Sequence, residues 1–333
     1  MTSEAALWQA IYAAPDDDAP RAVLADVLQE RGDPRGELIA LQLREHAGHA
    51  SAEAIARATR LVKELGVRWL GNLHPITRYA TMQRGFLHRV MFANISATTD
   101  RDRLLADPAF GTVEEIDVWY QEELVARVMA SPASTNLREL TIHSKPGWMG
   151  FVANPPPRLE RLIYANWTQR PGFTMRDEYA AGFVEHVLPF VERSPRITTL
   201  GLELELLPHL SQELRARLRG IVCRAGLDEA LRLWDDLRLE RLVISRPFAG
   251  YHVTKLELVR NDDHELVRID EQAVSRGVTH QQAAAHLMQL PRRLEVLELI
   301  GNKHLAKWLR DHHAARFKIS TRSVPSARSF IRP

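Results

Sequence analysis

The chain has 333 residues, 45% of them hydrophobic and 26% charged, and a formal net charge of +2. That is a globular composition, long enough for a large core or for two domains, and too near neutral to imply nucleic acid or a membrane by itself. One cysteine, Cys223, excludes an internal disulfide and fits a reducing compartment; beside Ile221 and Val222 it reads as a small core hydrophobe.

The first section is helical. Ser3 can cap a helix whose apolar residues Leu7, Trp8, Ile11 and Tyr12 fall at helical spacing, and Pro15-Asp-Asp-Asp18 breaks it. A second helix runs from Pro20 through Val23, Leu24, Val27 and Leu28 and stops at Arg31-Gly32. Asp33-Pro34 starts a third through Leu38, Ile39, Leu41 and Leu43, and a fourth covers about 52–65, ahead of Gly66. The opening MTSEAALWQAIYAAPDDD has no cationic start, no apolar run and no small-residue cleavage site, so no signal peptide is expected. No apolar stretch reaches about 18 residues, so no membrane span is expected and the location reads as cytoplasmic.

The run Asp18-Ala-Pro20-Arg21-Ala-Val-Leu-Ala25-Asp26-Val-Leu28-Gln-Glu30-Arg31-Gly32-Asp33-Pro34-Arg35-Gly36-Glu37-Leu-Ile39-Ala-Leu41-Gln42 resembles a short repeat-companion domain. That domain stands ahead of leucine-rich or other repeats in myxobacterial and planctomycete proteins, and usually has Trp where this chain has Val27. The resemblance covers about residues 4–45. It implies a bacterial protein with repeats beside this domain, and no chemistry. Asp26, Arg31, Asp33 and Arg35 are expected to fix the turn between the second and third helices through helix-end hydrogen bonds and ion pairs.

Beyond residue 84 an L-x-x-L-x-L pattern returns. Clear copies begin at Leu137, Leu159, Ile197, Leu239 and Leu294, looser ones at Leu87 and Val113, and a ragged one at Ala314 with Phe317 and Ile319. A short strand of this kind cannot bury its own apolar face, whereas stacked copies can. The shorter intervals match the leucine-rich-repeat period, and the repeats resemble that family in strand pattern and helical linkers. Its asparagine ladder is nearly missing, since only Asn302 sits at the required offset. The expectation is an α/β fold: a small all-helical domain at 1–70, then a divergent leucine-rich-repeat-like solenoid with a parallel strand face at 84–321. Helical insertions are expected at 176–194 and 208–236. A third insertion, 251–290, holds a hairpin at 251–270 and then a helix. A basic tail follows at 322–333.

Between the leucines, side chains point away from the core because they alternate across a strand. This selects Arg89, Glu115, Asp117, Trp119, Glu139, His143, Arg161, Ile163, Arg241, Val243, Glu298 and Lys318 as a partner-facing set. In it, Glu298 and Lys318 share the middle column. Tyr120, Trp148 and Trp167 lie just past strand ends, where aromatic residues either anchor interfaces or pack on neighbouring repeats.

No phosphate-loop, dinucleotide, nucleophile-elbow, paired-cysteine or H-E-x-x-H motif is present. His304, Asp311, His312 and His313 form the densest ligand-like group, but adjacent His312 and His313 diverge on a helix. No catalytic, cofactor-binding or metal-binding residue is therefore assigned. The expected function is non-enzymatic recognition of a protein partner through the strand face and the inserted hairpin. The alternative is a nucleic-acid-associated factor using the C-terminal segment, where residues 301–333 hold eight Lys or Arg against Asp311 alone.

Overall fold

A computed structural model describes residues 3–92, 107–118, 122–143, 149, 152, 154–164, 177–245, 255–260, 265–270, 274, 278–300 and 302–322. The fold is α/β, with eleven α-helices among the described residues and twelve strands, taken in chain order, in a mostly parallel sheet. Two compact units divide it, one formed by Met1–Leu162 with Thr174–Arg196, the other by Ile163–Phe173 with Ile197–Val324.

In the first unit α1 (Glu4–Ala13), α2 (Ala19–Glu30), α3 (Pro34–His46) and α4 (Ala52–Leu70) follow the expected starts. The side chains of Ser3, Asp33 and Ser51 accept the backbone N–H of Ala6, Arg35 and Ala54. Helix α4 passes through Gly66 and stops at Gly71, whose φ of 53° ends it. Gly36 lets α3 lie against α2, because a Cβ there would stand 2.6 Å from the Ala25 carbonyl oxygen. Arg31 pairs with Glu4 on α1, and Asp26 is exposed. Arg35 does not stay at the helix turn. Its guanidinium lies over the rings of Trp8 and Phe86, and its Nε donates to the Gly85 carbonyl.

Strand β1 (Thr77–Gln83) was not expected and starts the sheet before residue 84. It pairs antiparallel with β2 (Phe86–Phe92) through a turn at Arg84 and Gly85, with φ of 52° and 79°. Two residues of positive φ match the twist of a tight hairpin. From there β2, β3 (Glu115–Val118) and β4 (Glu139–Ile142) run parallel, with α5 (Glu122–Ala130) between β3 and β4. After β5 (Arg161–Tyr164) the expected helical run appears as α6 (Asp177–Gly182), a π turn over Phe183–Val187, and α7 (Leu188–Glu192). Pro189 has no N–H to give the carbonyl four residues back, and it lies where this helix widens.

The second unit carries β6 (Thr199–Gly201), α8 (Gln212–Arg217), β7 (Gly220–Arg224), α9 (Leu227–Leu237) and β8 (Arg241–Ser245). It continues with β9 (Lys255–Arg260), β10 (Glu265–Asp270), α10 (His280–Leu287), β11 (Val296–Ile300), α11 (Lys303–His313) and β12 (Lys318–Arg322). Segment 208–236 is thus not a helical insertion alone. Strand β7 is a further copy, Leu218-x-x-Ile221-x-Cys223, which the small residues Gly220 and Cys223 disguise, and it stands 21 residues from its neighbours at 197 and 239. Strands β9 and β10 form the expected hairpin, yet they pair with β8 and β11 and so belong to the sheet. The last copy is shifted by two residues: Ile319 pairs with Leu297 and Lys318 with Val296. Asn302 builds no ladder; its side chain caps α11 by accepting the Leu305 N–H at 3.0 Å.

One hydrogen-bond signature marks the copies. The second and third residues of a copy both donate their N–H to the carbonyl of the second residue in the copy before. Arg138 and Glu139 bind Glu114 in this way, Glu160 and Arg161 bind Arg138, Arg219 and Gly220 bind Thr198, and Glu240 and Arg241 bind Arg219. The leucine positions of these copies are buried and form the core, with Cys223 among them.

Candidate functional site

The strand face of the first unit is a lattice of ion pairs. Arg89, Glu115 and Glu139 lie in register on β2, β3 and β4. Two carboxylates directly opposite repel, and here arginines bind both. Arg161 holds Glu139 at 2.6 Å and Glu115 at 3.7 Å, while Arg89 and His88 reach Glu115 at 3.4 and 3.5 Å. Burial alone would raise the Glu115 carboxyl, but the hydrogen bond and charge of His88, with Arg89 and Arg161, bring it down to about 2. Asp117, two residues along β3, accepts the Tyr79 hydroxyl and an Arg89 N–H, each at 2.7 Å. Burial, then the Asp117 charge, raise the Tyr79 hydroxyl and keep it protonated.

A second row lies at the strand starts. Arg138 joins Glu114, Glu160 and Asp16 at 3.3, 3.0 and 3.0 Å, and Arg158 joins Asp16 at 2.8 Å. Arg84, at the hairpin tip, bridges Asp18 and Glu114 at 3.1 and 3.3 Å. The α1–α2 link is thereby tied to the strands.

In the second unit Gly201, Val222, Val243, Glu257, Arg268, Glu298 and Ser320 lie in register on β6 to β12. This column is apolar from Gly201 to Val243, charged from Glu257 to Glu298, and ends at Ser320. Ile163 leans over Gly201, where a Cβ would come within 2.7 Å of it, and Val222 packs on Ile163. Farther along, Arg241 binds Glu257 at 2.7 Å, and Arg268 bridges Glu257 and Glu298.

The partner-facing set is only partly open. Arg241 and Lys318 expose 42% and 76% of their side chains, and Arg89, Glu115, Glu139, Arg161 and Glu298 are partly exposed. Asp117, His143, Ile163 and Val243 are buried and offer a partner little surface. The cause at Asp117 is the tyrosine and arginine closed upon it; at Ile163 it is contact with the neighbouring strands. Trp119, Tyr120, Trp148 and Trp167 lie outside the described residues. Lys318 is opposite Val296, not beside Glu298, and pairs with Glu295 at 3.0 Å. Tyr79, His88, Glu257 and Arg268 were missed. For the last two a signal existed, because each alternates with apolar neighbours on the hairpin strands.

Among the described residues no three His, Cys, Asp or Glu side chains are grouped to hold a metal. His312 stacks on Trp308 instead of meeting His304. A 470 Å³ depression lined by Leu204, Leu207, Arg215, Arg232 and Asp236 includes none of the strand-face residues. No helix among the described residues is long and apolar enough to cross a membrane. No protein-family model matches the chain, and neither a curated protein nor a solved structure matches it.

Proposed function

We propose that the chain is a non-enzymatic recognition module, acting in the cytoplasm, whose partner is a protein bound on the strand face. In this reading the strands form a divergent leucine-rich-repeat-like solenoid behind a helical companion domain, and β9 and β10 are part of the docking surface. The carrying observation is the row Arg241–Glu257–Arg268–Glu298, in which each charge is held by the next across four consecutive strands. Donors and acceptors already fixed in place lose little side-chain freedom on docking, and alternating sign selects a complementary polar surface. The recurring strand-start hydrogen bonds and the companion-like opening support the repeat.

A photo-crosslinking residue placed at Ser320, exposed beside this row, and at Gln281, exposed on α10, tests the proposal in the native host. A polypeptide adduct of defined mass is expected from Ser320 and not from Gln281, and Arg241→Glu should abolish it in a chain that still unfolds cooperatively in urea, at a midpoint lowered by the repulsion from Glu257. Equal adducts from both positions, or an adduct indifferent to Arg241→Glu, would overturn it.

A further inference from the structure

We propose that the outer face of α11 binds single-stranded nucleic acid, at a site separate from the strand face. The helix buries Leu305, Ala306 and Leu309 completely, which turns Lys303, His304, Lys307, Arg310 and His312 outward. Residues 303–322 hold six Lys or Arg and one acid, Asp311. Arg310 and Arg316 donate to backbone carbonyls, and Lys318 is paired with Glu295. Lys303 and Lys307, exposed and one turn apart (about 6 Å along the axis), are in no ion pair among the described residues. On the strand face Arg89, Arg161, Arg241 and Arg268 are matched by carboxylates. Lys303 and Lys307, with Asp311 one turn beyond Lys307 but in no ion pair with it, are left for an outside anion.

Farther round the exposed arc of the same helix, about 100° from Lys307 and past Asp311, is a flat aromatic platform. The His312 imidazole lies on the Trp308 indole with centroids 4.4 Å apart and planes 13° from parallel. Its Nδ1 is 2.8 Å from the Trp308 carbonyl, which can only accept, so the ring is protonated at Nδ1 and held in place. His313 sits against the same indole at 5.4 Å. A single strand crossing the helix can lay one unstacked base on the exposed imidazole while the phosphates of its neighbouring nucleotides reach the lysines. A membrane-surface helix would need an exposed apolar side, and that side of α11 is in the core. A paired duplex keeps its bases from the platform.

The experiment is fluorescence anisotropy of labelled oligothymidylate on the full chain over a potassium chloride series. Binding should weaken with salt. The double variant Lys303→Gln/Lys307→Gln should reduce the slope of log K against log salt by about 1.4, at about 0.7 per lost phosphate contact. His312→Ala should bind about tenfold more weakly and His312→Phe should restore affinity, as loss and return of one stacking surface. Thermal midpoints should stay unchanged, since these side chains are exposed. Absence of binding overturns the proposal. So does loss through Arg328→Gln/Arg332→Gln in place of the α11 variants, or equal binding of duplex. Displacement by polyglutamate as effective as by unlabelled oligothymidylate, or equal binding to phosphatidylserine vesicles, would mark a general anion surface and also overturn it.

Discussion

The side chain of Gln42, on α3, closes the tip of the β1–β2 hairpin at Gly85. Its Oε1 accepts the Gly85 N–H at 2.7 Å and its Nε2 donates to the Met82 carbonyl at 3.1 Å. Next to this bridge Phe86 enters the helical cluster of Leu7, Ile11, Leu24, Ala25, Leu28 and Ile39, with Arg21 and Arg35 over its ring at 5.1 and 5.2 Å. The companion-like helices and the first strands therefore share a core. Gln42→Ala leaves a buried donor and a buried acceptor unpaired, and should cost about 1–3 kcal/mol in urea unfolding. A change below about 0.5 kcal/mol would show that the bridge is dispensable.

Gly85 and Gly32 separate backbone strain from packing. Both have positive φ, 79° and 70°. A Cβ on Gly85 would stand 2.1 Å from the Ile39 Cγ1, whereas one on Gly32 meets nothing within 4 Å. Gly32→Ala should therefore cost about 1 kcal/mol. Gly85→Ala, with strain and collision together, should cost more than about 3 kcal/mol. Equal costs by urea unfolding would contradict the α3–hairpin contact.

Glu115 sets an acid limit on stability. Its carboxyl is lowered from 4.5 to about 2 in the folded chain, so its contribution is complete above pH 4.5 and is lost as pH falls toward 2. The partly buried pairing contributes on the order of 2–3 kcal/mol. Urea midpoints measured from pH 6 downward should fall over this window, and Glu115→Gln should remove part of the fall. A variant with the same pH profile as the parent would assign the acid loss to other groups.

Cys223 should be inert in the folded chain. Burial, with the charge of Glu229, pushes its thiol up to about 12, so almost no thiolate exists near neutrality. A chromogenic disulfide reagent at pH 8 should label it in denaturant and leave the native chain unlabelled over the same interval. Rapid native labelling would mean that β7 opens readily.

The copies were legible where a leucine or isoleucine filled every core position, as at 137–142 and 294–299, because a period of two is imposed by the pleat itself. Strand β7 escaped because its outward position is Gly220 and its last inward residue is Cys223. The final copy was set two residues early because Phe317 resembles a core leucine, although Ile319 holds the register with Leu297. The outward residues Arg89, Glu115 and Arg161 were legible from alternation alone. Their engagement was not, since Asp117 is closed by Tyr79, a residue on a strand that carries no leucine pattern.

By itself the amino-acid order determined the local elements: Ser3, Asp33 and Ser51 start helices because their side chains accept N–H groups a few residues ahead, and alternating leucines make strands that must be stacked to be buried. Tertiary structure decided which charges are spent on one another and which stay free. Arg241 and Lys307 look alike in a sequence, yet one is matched by Glu257 from a neighbouring strand and the other pairs with no carboxylate among the described residues, because only the fold sets the distances over which charges act.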